Sequence, residues 1–242
     1  MKLTVIGGTL SEESSEFRHL NDYCEQTGLG LSLEWINGQY WLHSDDSKEK
    51  PIGIQIDREL TRHEAFFKSS SLVKELLARA IGVKGGVRPK VLDLTGGLLG
   101  DTLLFLSFGC EVVTLERHPI IAFLIQSALH NSSHPALSRF TFVPQDAATY
   151  LKSNPDTEVI FFDPMFEDAN ERALPKKEMR IFRSFVGADQ DALTVFNLAR
   201  KLAPKRLVVK RPRLSVELGE PANIKFDGKA TRYDVYFSSQ IP

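Results

Sequence analysis

Residues 63–242 predict an α/β fold whose mostly parallel sheet ends in an antiparallel hairpin, preceded by a small β-rich N-terminal domain over residues 1–62. Three observations carry this. Five short apolar runs, KVLDL (90–94), EVVTL (111–115), FTFV (140–143), EVIFF (158–162) and RLVVK (206–210), alternate with helical stretches near 100–108, 119–130, 146–153 and 190–202. Strands joined through helices imply βαβ units and a parallel sheet. The tail breaks that alternation, because ANIKF (222–226) and YDVYFSS (233–239) are joined across Asp227-Gly228, a hairpin-type turn. At the other end, LSLEWI (31–36) and QYWLHS (39–44) flank Asn37-Gly38, the dipeptide most suited to a type I′ turn. PIGIQID (51–57) then alternates apolar with small or polar residues, as a strand does, and Ser11–Glu16 reads as a helix start or an exposed loop. Between the two patterns, Ser69-Ser70-Ser71 precedes LVKELLARAIGV, an amphipathic helix with serine as its cap.

Composition bounds the function classes. Hydrophobic residues make up 42% and charged residues 25% of the 242, ordinary for a soluble globular protein. Cys24 and Cys110 have no metal-finger or C-x-x-C spacing, so a reducing compartment is expected and a metal is not. The leading MKLTVIGGTLSEESSE carries an apolar run too short for a signal peptide or a membrane span, so the protein is expected in the cytoplasm with no membrane partner. The net charge of −1 hides an uneven distribution. Residues 1–65 hold six basic and twelve acidic side chains, whereas residues 172–213 hold twelve basic and three acidic ones. A near-neutral chain can present one basic surface to phosphates.

The first chemical constellation is VLDLTGGLLGD (91–101). A strand ending in Asp93 runs into a turn bearing Gly96, Gly97 and Gly100 and then into a helix, an arrangement that lets backbone approach a ligand at the carboxyl edge of the sheet. Glu116 ends the next strand, 23 residues after Asp93, where a carboxylate can accept hydrogen bonds from ribose hydroxyls. The G-x-G-x-x-G order of dinucleotide dehydrogenases is absent, both here and after Gly7-Gly8, so a nicotinamide cofactor is disfavoured. Candidate cofactor residues are Asp93, Thr95, Gly96, Gly97, Gly100, Asp101, Glu116, Arg117 and Asp163. Asp146 joins them with two open readings, as an acid near an adenine or as a helix N-cap.

The second constellation is Asp163-Pro164-Met165-Phe166, directly after EVIFF. It resembles the D/N-P-P-F/Y signature of methyltransferases that act on amino groups. A base amine is a poor nucleophile because its lone pair is delocalised into the ring. A carboxylate and a backbone carbonyl that accept its two N–H groups can aim that lone pair, with proline fixing the turn and phenylalanine stacking the splayed-out base.

With DPMF, LERHP, KKEMR followed by F-x-S-x-V-G, and V-V-K-R-P, the chain resembles the RsmJ family of bacterial small-subunit rRNA guanine-N2 methyltransferases over roughly residues 60–240. The resemblance implies a Rossmann-like class I methyltransferase fold, S-adenosylmethionine as donor, and transfer to the N2 of one guanine in 16S rRNA, naked or in the small subunit. It implies that Asp93, Gly97 and Glu116 hold the cofactor and that Asp163, Pro164 and Phe166 form the target-amine site. The chain departs from the family pattern in having Leu99 where a glycine is usual, with the third glycine at Gly100. Lys176, Lys177, Arg180, Lys210, Arg211 and Arg213 follow strands at the same sheet edge and are candidate RNA phosphate contacts. Rival readings are adenine-N6 or protein glutamine-amide methylation, or a non-catalytic cofactor-binding protein associated with RNA.

Overall fold

The computed structural model describes residues 3–28, 30–43, 51–69, 72–153, 155–165, 189–202 and 204–238. Among them, one unit takes the chain up to Ile56 together with His118–Ser133, and a second takes the remainder.

The first unit holds a three-stranded sheet in the order β1 (Leu3–Ile6), β2 (Leu31–Ile36), β3 (Gln39–His43). The β2–β3 hairpin turns at Asn37 (φ 50°) and Gly38 (φ 87°), both left-handed as the Asn-Gly pair requires. Helix α1 (Ser15–Thr27) connects β1 to β2, which pair in parallel. Ser14 caps it by accepting the Phe17 N–H at 3.1 Å, so Ser11–Glu16 is a helix start. Helix α5 (Pro119–His130) belongs to this unit by its contacts. The Ser127 hydroxyl accepts the Tyr40 N–H at 2.8 Å, and Asn131 donates to the Asn37 carbonyl at 3.0 Å. The expected strand at 51–57 is reduced to one bridge between Ile52 and Leu42, because α2 (Ile56–Ser69) begins at its end. Buried Ile56 and Leu60 recur at helical spacing there, and period four overrides the short alternation.

The second unit is built on a seven-stranded sheet of order β6-β5-β4-β7-β8-β10-β9. Its strands are β4 (Val91–Asp93), β5 (Val112–Leu115), β6 (Phe140–Val143), β7 (Val159–Phe162), β8 (Arg206–Pro212), β9 (Ile224–Asp227) and β10 (Thr231–Phe237). The first five are parallel and the last two antiparallel, as the sequence predicts. The central β4 and β7 are buried along their whole length, which is why β7 reads as an unbroken apolar run and β4 as one interrupted only by Asp93. Helices α3 (Leu76–Ile81), α4 (Gly100–Ser107), α6 (Ala147–Leu151) and α7 (Ala192–Lys201) complete the unit. Helix α3 starts after Glu75, which makes no side-chain cap bond; Ser70 and Ser71 of the expected serine cap lie outside the described residues. One core joins Leu92, Ile160 and Leu207 of the sheet to Val195, Phe196 and Ala199 of α7. Phe196 packs edge-on against Tyr236 at 5.0 Å, a favoured aromatic geometry.

The chain adds strands to one side of β4 (β5, then β6) and crosses to the other side at β7. Such a reversal opens a crevice at the carboxyl ends of the two strands where it occurs, here those that end in Asp93 and lead into Asp163.

Candidate active site

The turn after β4 is held from below by Asp93. Its carboxylate accepts the Thr95 N–H at 3.0 Å and the Thr102 hydroxyl at 2.6 Å, and Thr102 in turn meets the Thr114 hydroxyl at 2.9 Å. Asp93 is 1% exposed, and burial pushes its carboxyl up to about 7 against the pull of those two donors. A ligand contact was expected of Asp93. The structure instead makes it the internal brace of the turn, since both oxygens face protein donors in a site closed to solvent.

Above Asp93 the backbone turns twice. Gly97 (φ 50°) donates its N–H to Glu116 at 2.8 Å. Gly96 lies against Thr114 and the Leu115 carbonyl, so a side chain there would collide with backbone. Leu99 occupies the left-handed cap position of α4 (φ 61°, ψ 18°) and is fully buried. Left-handed backbone costs a non-glycine residue about 1–2 kcal/mol, and burying a leucine side chain contributes about 1.5–3 kcal/mol. The burial of its side chain thus offsets the cost of the left-handed backbone at Leu99. Gly100 lies outside the left-handed region, and a Cβ built on it would meet no heavy atom within 4 Å. The glycine that the backbone does not require thus faces open space beside the carboxylates.

Arg117, next to Glu116, is bound by acids. It pairs with Asp191 at 2.8 Å, with Asp189, and with Asp146 at 3.7 Å. Burial alone would lower its pKa, but Asp189 and Asp191 outweigh that and raise it. Asp189 also accepts the Met165 N–H at 2.7 Å and returns its own N–H to the Met165 carbonyl at 2.8 Å. The exit from β7 is thereby tied to the end of β5. Asp146 caps α6 by accepting the Thr149 N–H at 2.9 Å, which favours the cap reading of that residue.

Asp163 stands at the mouth of the crevice. Its N–H is held by the Thr95 hydroxyl at 2.8 Å, and its carboxylate meets Lys210 Nζ at 2.9 Å. The same ammonium meets Asp101 at 2.7 Å. Desolvation pushes the Asp163 carboxyl up to about 6; Lys210 opposes that rise, and Asp101 and Asp189 add to it. The pKa of Lys210, which burial alone would lower, is raised by Asp101 and Asp163. Two carboxylates against one ammonium leave a net negative charge beside the open face of Gly100. That donor set suits a ligand carrying positive charge and hydroxyl donors.

Thr95, Gly96, Gly97, Gly100, Asp101, Glu116 and Asp163 therefore lie around the crevice, while Asp93 braces the turn from beneath and Arg117 and Asp146 are engaged in the bracing network. Two of the expected RNA contacts are corrected. Lys210 sits between Asp101 and Asp163 because β8 runs beside β7 in register, Val209 opposite Phe162. Arg211 is 5% exposed and donates to the Val216 carbonyl at 2.7 Å, so its charge is spent inside the fold. Arg213 is exposed at the same edge. Phe166, Lys176, Lys177 and Arg180 lie outside the described residues. Sequence reading missed Asp189, Thr102 and Thr114, whose partners lie 72, 9 and 12 positions away; no local pattern marks such pairings.

Comparison with known proteins agrees with this geometry. A family model described as "Putative SAM-dependent methyltransferase" matches residues 22–238, reaching further toward the N-terminus than the motifs do. The chain is 38% identical over 191 residues to a Ribosomal RNA small subunit methyltransferase J of Coxiella burnetii, covering 77% of this chain and 74% of that protein. It is 42% identical over 197 residues to the protein of the same name in Thioalkalivibrio sulfidiphilus, covering 78% and 77%. A solved structure of a SAM-dependent methyltransferase from Neisseria gonorrhoeae superposes with a TM-score of 0.68 over 100% of this chain and 98% of that one, at 23% identity, and so bears on the fold alone. With its crevice, its carboxylate set and these matches, the chain belongs to the S-adenosylmethionine-dependent methyltransferases, in the family of the small-subunit ribosomal RNA methyltransferases J.

Proposed function

We propose that this chain methylates the exocyclic N2 amine of a guanine in small-subunit rRNA. The observation that carries the reading is Asp163, placed at the switch point of the sheet, fixed by Thr95 through its N–H and matched by Lys210. The names of the relatives supply the substrate class, and the D-P-M-F corner supports an amine target. The same reading makes 16S rRNA or the small ribosomal subunit the partner and the cytoplasm the compartment.

The residues fit S-adenosylmethionine. Gly97, Gly100 and Glu116 would hold it, with the net negative charge of the Asp101–Lys210–Asp163 cluster matching its positive groups. When bound, it supplies an electrophilic methyl group. The chain's own residues do the rest. Asp163 accepts one N–H of the target amine and the Pro164 carbonyl accepts the other, which aims the nitrogen lone pair. Lys210 holds Asp163 in its ionised, accepting form. Phe166 is assigned to stack the extruded base, and Lys176, Lys177, Arg180 and Arg213 to contact phosphates. After transfer the cationic nitrogen is strongly acidic, so Asp163 or water takes its proton without a dedicated base.

The test is Asp163→Ala, which removes the accepting oxygen altogether, assayed with labelled methyl donor on unmodified small-subunit rRNA and particles. Transfer falling by at least a hundredfold, with a far smaller loss of cofactor affinity, supports the assignment. Retained transfer, or a loss of cofactor binding as large as the loss of transfer, refutes it.

A further inference from the structure

The turn that follows β8 is built in an unusual way. Leu214 and Val216 are 93% and 79% exposed, although neither side chain gains from contact with water. The backbone that presents them is braced from inside by charged side chains. Arg232 donates to the carbonyls of Arg213 at 2.8 Å and Ser215 at 2.6 Å. Its guanidinium is held by both oxygens of Asp234, which is fully buried, at 2.8 and 3.0 Å. Arg211 donates to the Val216 carbonyl. The Ser215 hydroxyl donates to the Pro212 carbonyl at 2.8 Å, and the Arg213 N–H to the Ala230 carbonyl at 2.9 Å.

Taking three charged groups out of water is costly, and a surface turn with no task needs none of it. These charges hold one backbone shape, and that shape holds two apolar side chains out. Its position is equally specific. The turn starts three residues beyond Lys210, about 10 Å further along the strand, at the carboxyl edge where Asp163 stands. The Asp227–Thr231 turn lies at the same edge, because Thr231 pairs with Pro212, and it carries the exposed cation Lys229 beside exposed Arg213.

We infer that the Arg213–Val216 turn is a preformed contact for the unstacked bases flanking the target nucleotide in RNA, an inference that rests on the function proposed above. Pulling one base out of a stack bares the faces of its neighbours. Apolar side chains held rigidly at that point cover those faces, and Arg213 and Lys229 meet the adjoining phosphates. Pre-organisation means that little ordering is left for the moment of binding. The occupant is RNA rather than a ribosomal protein because the turn continues the edge that receives the base, with one exposed cation, Arg213, on the turn itself and another, Lys229, on the neighbouring one.

The test is a Leu214→Ser/Val216→Ser double variant, compared with wild type on naked small-subunit rRNA and on assembled particles. Both side chains are exposed, so the melting temperature and cofactor affinity stay at wild-type values. The KM for RNA is expected to rise roughly tenfold on both substrates, as loss of a base-stacking contact would give, with kcat at saturating RNA nearly unchanged. Leu214→Trp, which enlarges the stacking face, lowers KM. Arg213→Gln reduces the slope of log affinity against log salt by about one. An active wild type whose KM the double substitution leaves unchanged overturns this inference alone, and a rise confined to assembled particles overturns it in favour of a protein contact. A wild type inactive on both RNA forms removes the function reading and this inference with it.

Discussion

Replacing Lys210 by methionine removes one positive charge and keeps most of the side-chain volume. Asp163 then faces Asp101, Asp93 and Asp189 without its counter-charge. At 2.9 Å a pair of unit charges is worth about 1.4 kcal/mol in bulk water and about 6 kcal/mol at an effective dielectric of about 20. At about 1.4 kcal/mol per pKa unit, that is a rise of about 1 to 4 units for Asp163. Its side chain keeps 36% of its surface open, so screening favours the lower end. The carboxyl titrates at about 6 in the intact site and is therefore expected at or above about 7 in the variant. Near pH 7 the ionised fraction falls from roughly nine-tenths to half or less. Since the neutral acid accepts the amine N–H poorly, the acid limb of the kcat/KM profile moves to higher pH by at least one unit. Lys210→Met recovers activity toward about pH 9, and Asp163→Ala, which has no acceptor to ionise, does not. The assay is methyl transfer across the pH range with cofactor affinity followed in parallel. A profile of unchanged shape, merely scaled down, would refute the claim that Lys210 acts through the charge of Asp163.

Gly100→Ala places a methyl group where no protein atom lies within 4 Å. The melting temperature is predicted to hold or rise slightly, since alanine is the better helix former by up to about 1 kcal/mol. Cofactor affinity measured by calorimetry is predicted to weaken at least tenfold; unchanged affinity would show that the ligand does not approach this position. Asp93→Asn tests the brace. The folded carboxyl titrates at about 7, well above its ordinary range near 3.8, so between those values the folded chain binds more protons than the unfolded one. Asp93 accordingly makes stability fall as pH rises through that window, by up to about 4 kcal/mol, and the amide variant is predicted to lose that share of the slope between about pH 5 and pH 8 in denaturant unfolding while keeping the smaller share due to Asp163. An unchanged slope would mean that Asp93 is not the group being titrated.

The parallel sheet was legible because β5, β7 and the Leu207–Val209 stretch of β8 are largely apolar and are separated by helical stretches. The Asn-Gly turn stands where it was read, whereas Asp227 is the last residue of β9 and the second hairpin turns over residues 228–230, with neither Asp227 nor Gly228 left-handed. Local patterns failed where a longer period competed. Ile52 and Ile54 alternate as in a strand, but Ile56 and Leu60 begin α2. The placement of α5 with the first unit was invisible for another reason. It rests on Ser127 and Asn131 meeting residues 87 and 94 positions away, and no sequence period records such contacts. The corner at Asp163 stands out in the sequence by its residue types, an acid and a proline directly after an apolar strand, and its part in amine chemistry belongs to the function proposed. Lys210 and Arg211 were misread for a common reason. A cation in a basic stretch looks like a phosphate contact until the register of β8 against β7 and β10 sets one beside two carboxylates and buries the other.

The central claim is methyl transfer to a guanine N2 in small-subunit rRNA. Its most direct test is nucleoside analysis of that rRNA, taken from particles lacking the modification, after incubation with the protein and labelled S-adenosylmethionine. The expected result is label in N2-methylguanosine at a single position and none with Asp163→Ala. Label in N6-methyladenosine or in a ribosomal protein, or no label with cofactor binding intact, would contradict it.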